Sequence, residues 1–192
     1  MTVPLTENRV WTVPNVISFG RLVVLLPLVV WLLLTGRMWW ALAALVLLSA
    51  SDWIDGFLAR RLRQTSTLGQ RLDPVADRIA ILVVGGAMVV AGIIPWGPVA
   101  VILAVDVALA VLATLWFRGS PDLDVSRIGK WRTGALLLAL PVLIVAAGTD
   151  VAWLGVLGFA LMYAGAFGHV LAGIGYARGM ARRRTRRPVA AA

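Results

Sequence analysis

Long apolar runs broken by short polar ones organise this chain. The alternation predicts six membrane-spanning helices over residues 13–35, 38–60, 73–94, 99–117, 131–148 and 153–177. Each run is near the roughly 20 residues that cross a hydrocarbon core about 30 Å thick. Residues 1–12 form a short N-terminal amphipathic lead, with Trp11 suited to the interface. Thr35-Gly36-Arg37, residues 95–98 and residues 149–152 read as turns, and 61–72 and 118–130 as polar loops. Pro27 lies inside the first run and Pro141 inside the fifth, and membrane helices tolerate both; a kink is expected at Pro27. Asp73-Pro74 reads as an N-cap followed by proline in the first turn of the third helix. No small-x-small cleavage site follows the first run, so it reads as a span rather than a signal peptide. The predicted organisation is a juxtamembrane segment (1–12), a six-helix transmembrane domain (13–177) and a basic tail (178–192).

Composition agrees with this class. Of 192 residues, 60% are hydrophobic, and the mean hydropathy is +0.90, far above soluble proteins. The chain is therefore read as an all-α integral membrane protein. Cysteine is absent, which excludes disulfides and thiolate metal sites. A net charge of +9 invites a nucleic-acid reading. In a membrane protein, basic residues more often report topology. Every Lys and Arg except Arg37 falls on one side of the six-span arrangement. By the positive-inside rule both termini and the 61–72 and 118–130 loops face the cytoplasm of a cell-membrane protein. The tail cluster Arg182-Arg183-Arg184-Thr185-Arg186-Arg187 then reads as a contact for anionic lipid, not for nucleic acid.

Acidic residues change the picture from architecture to chemistry. Of nine in the chain, four lie between Asp52 and Asp77. Charges at the edge of a membrane core are costly and are functional hypotheses by default. Asp52 and Asp55 share one helix face at i,i+3, and Asp73 and Asp77 share another at i,i+4. Carboxylates converge only around positive charge. An oxygen-only ligand set suits Mg²⁺, Mn²⁺ or Ca²⁺ rather than zinc. Such ions clamp a pyrophosphate and stabilise a leaving phosphate.

The stretch Asp52-x2-Asp55-Gly56-x2-Ala59-Arg60-x8-Gly69-x3-Asp73-x3-Asp77 resembles the signature of the CDP-alcohol phosphotransferase family, and every fixed position matches. The resemblance implies that family's helical membrane fold and phospholipid biosynthesis. The expected reaction is transfer of a phosphatidyl group from CDP-diacylglycerol to an alcohol, with release of CMP. It implies that Asp52, Asp55, Asp73 and Asp77 hold two Mg²⁺ or Mn²⁺ ions, and that Asp77 also takes the acceptor's proton. Gly56 and Ala59 are expected to let the nucleotide approach the helix, and Arg60 to hold a phosphate. Ser66 and Gly69 are placed in a loop closing over the cytidine, with Pro14 and Asn15 contacting the nucleotide from the first span. The family forms homodimers, so a homodimer is expected.

The stretches Pro14-Asn15-Val16-Ile17-Ser18, Leu72–Arg78 and Gly129-Lys130-x-x-Thr133 are similar to the branch that includes phosphatidylglycerophosphate synthases and cardiolipin synthases. Glycerol-3-phosphate is the expected acceptor; phosphatidylglycerol or an inositol phosphate are the alternatives. Arg127, Lys130 and Arg132 are candidates to bind its phosphate, competing with a purely topological role. Branch members often carry Arg before an acid in the fourth span, where this chain has Val105-Asp106. Asp106 is expected to face the bundle interior, pair with Lys130 or Arg132 and shape the acceptor-binding pocket. His169, the single histidine, lies between Gly165 and Gly173 and is expected to make an interhelical hydrogen bond. Ala160, Ala164, Gly168 and Ala172 form a small-residue stripe on an adjacent face. Two rivals fit less well: an intramembrane prenyltransferase would need two separated Asp-rich motifs, and a cation transporter would spread acids across the membrane depth.

Overall fold

The computed structural model describes the backbone of residues 19–62, 67–117 and 127–186, and the side chains of 19–51, 76–117 and 131–183. Among the described residues every element is helical. Helix α1 spans Arg21–Leu34, α2 Met38–Leu62, α3 Thr67–Val90, α4 Trp96–Phe117, α5 Arg127–Thr149 and α6 Ala152–Arg186. Three are long and apolar enough to cross a membrane: α4, α5 over Trp131–Thr149, and α6 over Ala152–Arg183. Arg21–Leu34 and Met38–Ser51 form shorter apolar helices.

Several boundaries differ from the pattern-based expectation. Helix α3 begins at Thr67, so Asp73-Pro74 is not its N-cap and first turn, and Gly69 lies on the helix rather than in a loop. Pro74 withholds only the bond its N–H would have given the Gln70 carbonyl, near the helix start. The turn after α3 is Ala91–Ile94 rather than 95–98. Gly92 there has φ +72°, and Gly92 and Ile93 donate to the carbonyls of Val89 and Met88. Gly36 (φ +72°) ends α1 the same way, with Gly36 and Arg37 donating to Leu33 and Leu32. Both are glycine-dependent Schellman stops that use up the last carbonyls. Helix α5 already includes residues 127–130, and α6 continues through the basic tail to Arg186.

Pro27 is accommodated by a widened turn. Residues Arg21–Leu25 are π-helical, and Leu26 donates five residues back to the Arg21 carbonyl. A proline cannot donate to the carbonyl four residues before it, here Val23, and the π turn lies across that gap.

The chain forms two compact units. The first contains α1, α2, α3 and the end of α5 from Leu143. Here α1 packs against both α2 and α3. Its inward face is Leu26, Val29, Leu32 and Leu33; that of α2 is Ala41, Ala44, Leu45 and Leu48, in i, i+3, i+4, i+7 order. The opposite faces expose Val23, Trp31, Trp39, Trp40 and Leu47, which is no penalty against lipid. The second unit contains α4, α5 up to Val142, and α6, with α4 packed on α6. Glycines on α6 set its spacing. A Cβ at Gly165 would lie 2.7 Å from the Leu136 side chain, and one at Gly173 would lie 2.6 Å from Val105 Cγ1. Of the predicted small-residue stripe, Ala172 is buried and Gly168 half-buried, whereas Ala160 and Ala164 are exposed. The helix has turned the Gly165–His169–Gly173 line inward instead.

This packing gives a stability prediction. Val105 is β-branched and stiff, so Gly173→Ala is expected to cost about 1–3 kcal/mol through overpacking. Gly175, on the same helix with nothing within 4 Å, is the control; Gly175→Ala is expected to be neutral or slightly stabilising. Thermal unfolding of the detergent-solubilised protein checks this, and equal melting temperatures for the two variants would contradict the packing argument.

Candidate functional site

The acidic signature is carried by two consecutive helices. Asp52 and Asp55 lie in the last turns of α2, and Asp73 and Asp77 follow one another by a turn, about 6 Å, along α3. Helix α1 packs on both. The side chains of Asp52, Asp55, Gly56, Ala59, Arg60, Gly69 and Asp73 lie outside the described residues, as do Pro14, Asn15 and Ser66 altogether. Asp77 is therefore the member of the quartet whose surroundings are seen.

Its carboxylate is half exposed and lies 3.5 Å from the Arg21 guanidinium, whose side chain is only 4% exposed. Arg21 belongs to the π-helical turn of α1, so the irregular turn is the one that presents the cation to the acidic helix. Burial of a guanidinium without compensation is expensive, and the pair with Asp77 supplies part of that compensation. Sequence reading placed Arg21 among the topology-setting cations and missed this contact. The available signal was an arginine well inside an apolar run, which membrane physics marks as functional.

A metal-ligand set is judged by its chemistry. Among the described residues no three His, Cys, Asp or Glu side chains cluster to hold an ion. The quartet offers carboxylate oxygen alone, and that fits a hard divalent cation.

The second unit holds a separate polar constellation. Asp106, midway along α4, lies 3.2 Å through Oδ1 from Nε2 of His169 on α6. Nδ1 of His169 lies 2.8 Å from an Nη1 of Arg132 on α5. His169 is buried, and the Asp106 side chain is 12% exposed. The interhelical bond expected of His169 is present, and the expected partnership of Asp106 with the basic cluster runs by way of His169. The side chains of Arg127 and Lys130, which share the first turn of α5, lie outside the described residues.

Comparison with known proteins adds an independent line. The family model described as CDP-alcohol phosphatidyltransferase matches residues 11–171. A Mycobacterium tuberculosis protein provisionally named a cardiolipin synthase is 38% identical over 178 residues, covering 90% of this chain and 84% of that protein. A Streptomyces coelicolor protein named cardiolipin synthase (CMP-forming) is 37% identical, covering 88% of this chain and 77% of that one. A Cereibacter sphaeroides protein named CDP-diacylglycerol--glycerol-3-phosphate 3-phosphatidyltransferase is 32% identical, covering 73% and 66%.

The Arg21–Asp77 contact is testable by stability. Removing Asp77 takes a counter-charge from a buried cation, whereas removing Arg21 affects a carboxylate that water still reaches. Asp77→Ala is expected to cost about 1–3 kcal/mol, below the full buried-pair penalty because Asp77 is half exposed. Arg21→Met, which keeps the apolar stem, is expected to cost less, and the double variant to recover part of the Asp77→Ala loss. Strictly additive unfolding energies would show that the two side chains do not interact.

Proposed function

The chain belongs to the CDP-alcohol phosphatidyltransferase family, and from that premise we propose that it is a metal-dependent membrane enzyme of phospholipid synthesis acting on CDP-diacylglycerol. An alcohol acceptor attacks the β-phosphorus, the phosphatidyl group is transferred, and CMP leaves. The observation that carries this reading is the complete acidic signature, set on two consecutive helices that both pack on α1.

In this reading Asp52, Asp55 and Asp73, with Asp77, hold two Mg²⁺ or Mn²⁺ ions. When bound, these ions neutralise the pyrophosphate oxygens and polarise phosphorus. Asp77 accepts the proton of the attacking hydroxyl, and its exposure leaves it open to an acceptor. Arg21 fixes the Asp77 carboxylate from the side. Arg60 binds a substrate phosphate, Gly56, Ala59, Ser66 and Gly69 admit the cytidine, and Pro14 and Asn15 touch the nucleotide. The nucleotide needs water and the acyl chains need lipid, so a site at helix ends serves both.

The acceptor carries a glycerol hydroxyl and a phosphate. Arg132, with Arg127 and Lys130, binds that phosphate. Glycerol-3-phosphate is the first reading. Phosphatidylglycerol is the second, favoured by the names of the Mycobacterium and Streptomyces relatives. We further propose six membrane spans with both termini cytoplasmic, supported by the one-sided Lys and Arg distribution. Helix α6 has 35 residues, about 52 Å, against a hydrocarbon core of about 30 Å. Its arginine-rich end thus extends beyond the apolar layer and suits anionic lipid. A homodimer completes the proposed assembly.

CMP release from CDP-diacylglycerol tests the reaction. It is expected to require Mg²⁺ or Mn²⁺ and to stop with chelator. Asp77→Asn is expected to retain CDP-diacylglycerol binding while turnover falls by a factor of about 10²–10⁴, the usual worth of a general base. Normal turnover in that variant would remove the base assignment, and pyrophosphate in place of CMP would overturn the reaction class. Parallel assays with glycerol-3-phosphate and phosphatidylglycerol assign the acceptor by which one supports turnover.

A further inference from the structure

Helix α6 brings two neighbours onto one histidine. Gly168 lets the helix close on Arg132, whose Cβ would lie 3.2 Å from a Cβ at that position. Gly173, one turn beyond His169, lets it close on Val105, the neighbour of Asp106. Between these two approaches His169 bridges Asp106 Oδ1 on one side and Arg132 Nη1 on the other.

The guanidinium sets the direction of one of these contacts. A guanidinium has N–H donors and no acceptor, so Nδ1 of His169 accepts from Arg132. Nε2 of His169 then faces the Asp106 carboxylate, 3.2 Å from Oδ1, as an electrostatic contact rather than a hydrogen bond. The order is therefore carboxylate, imidazole, guanidinium. The carboxylate acts on the arginine through a buried ring that α6 holds in place.

We propose that Asp106 and His169 are positioning residues that orient Arg132 for the phosphate of the acceptor alcohol. The proposal rests on the reading of Arg132 as an acceptor-phosphate ligand. Neither Asp106 nor His169 touches the substrate in this scheme. They remove the freedom of a long side chain, so that less is lost when the guanidinium engages an oxyanion. Loss of the relay should thus weaken acceptor binding and leave the CDP-diacylglycerol side of the reaction alone.

The test is steady-state CMP release by the full-length protein, with glycerol-3-phosphate and with phosphatidylglycerol in mixed micelles. His169→Leu is expected to raise the acceptor KM roughly tenfold, the scale of one hydrogen bond to a charged group. The KM for CDP-diacylglycerol should stay within twofold. His169→Gln, whose amide can accept from Arg132 and donate to Asp106, should restore most of the acceptor KM. In an Arg132→Ala background His169→Leu should add nothing further. If His169→Leu fails to fold, Asp106→Leu combined with His169→Leu removes the buried charge together with its partner and carries the same expectation. An unchanged acceptor KM in the histidine variants, with a raised one in Arg132→Ala, overturns the relay alone. An unchanged KM in Arg132→Ala overturns the acceptor reading beneath it. Equal losses for both substrates in His169→Leu, unrescued by Gln, would make His169 a packing residue and sink the proposal.

Discussion

Apolar surroundings give an ionised side chain no water to lean on, so each charge inside this protein has to be answered by protein. The constraint is severe, because the effective penalty for burying an ion is several kcal/mol even after relaxation. Among the described residues, the buried charges accordingly meet partners on other helices. Arg21, nearly wholly buried, meets Asp77 of a different helix. Asp106 and Arg132 meet through His169. In each unit the charges that cost most to bury are those that tie one helix to another, so the polar contacts specify which helices are neighbours while lipid-facing apolar surface does not.

Close approach makes these contacts possible. Lipid offers helices no hydrophobic drive to associate, and packing must come from shape. Gly165 and Gly173 admit Leu136 and Val105 at distances a Cβ would forbid, and Gly168 admits Arg132 where a Cβ would be tight. His169 sits amid those glycines, so the histidine bridge is a consequence of helix spacing as much as of hydrogen bonding. In the first unit the comparable device is the π turn of Arg21–Leu25, which absorbs Pro27 and carries the arginine. A local irregularity is retained where it places a charge, in keeping with the tendency of π bulges to mark functional positions.

Much of this was legible in the sequence, for identifiable reasons. Apolar runs reveal helices because a membrane demands length, and Gly36 marks its turn because only a left-handed residue closes a Schellman stop. The acidic signature identified the family, since its spacing is long and every fixed position is filled. Helix ends were less legible. Asp73-Pro74 has the chemistry of a helix start, yet a proline is also tolerated a turn or two inside, and α3 begins at Thr67. The pattern predicts a polar loop over 118–130 and a sixth span ending at 177, but α5 begins at Arg127 and α6 runs on to Arg186, arginine and lysine being good helix formers. The Arg21–Asp77 contact joins residues far apart in the chain, and no local pattern encodes it. For Asp106 and His169 the sequence supplied both ends of the answer, an intramembrane acid and a histidine suited to interhelical bonding, without revealing that they were one network.

That network differs in kind from a direct ion pair. A carboxylate set against a guanidinium takes two parallel N–H groups, and two opposite charges in contact largely cancel. An imidazole nitrogen has one lone pair and takes one N–H. It holds the arginine at Nη1 and keeps the balancing carboxylate a ring's width away. The membrane's demand for compensation is met, because Asp106 and Arg132 still sum to zero. The three side chains thus tie α4, α5 and α6 together through a single ring.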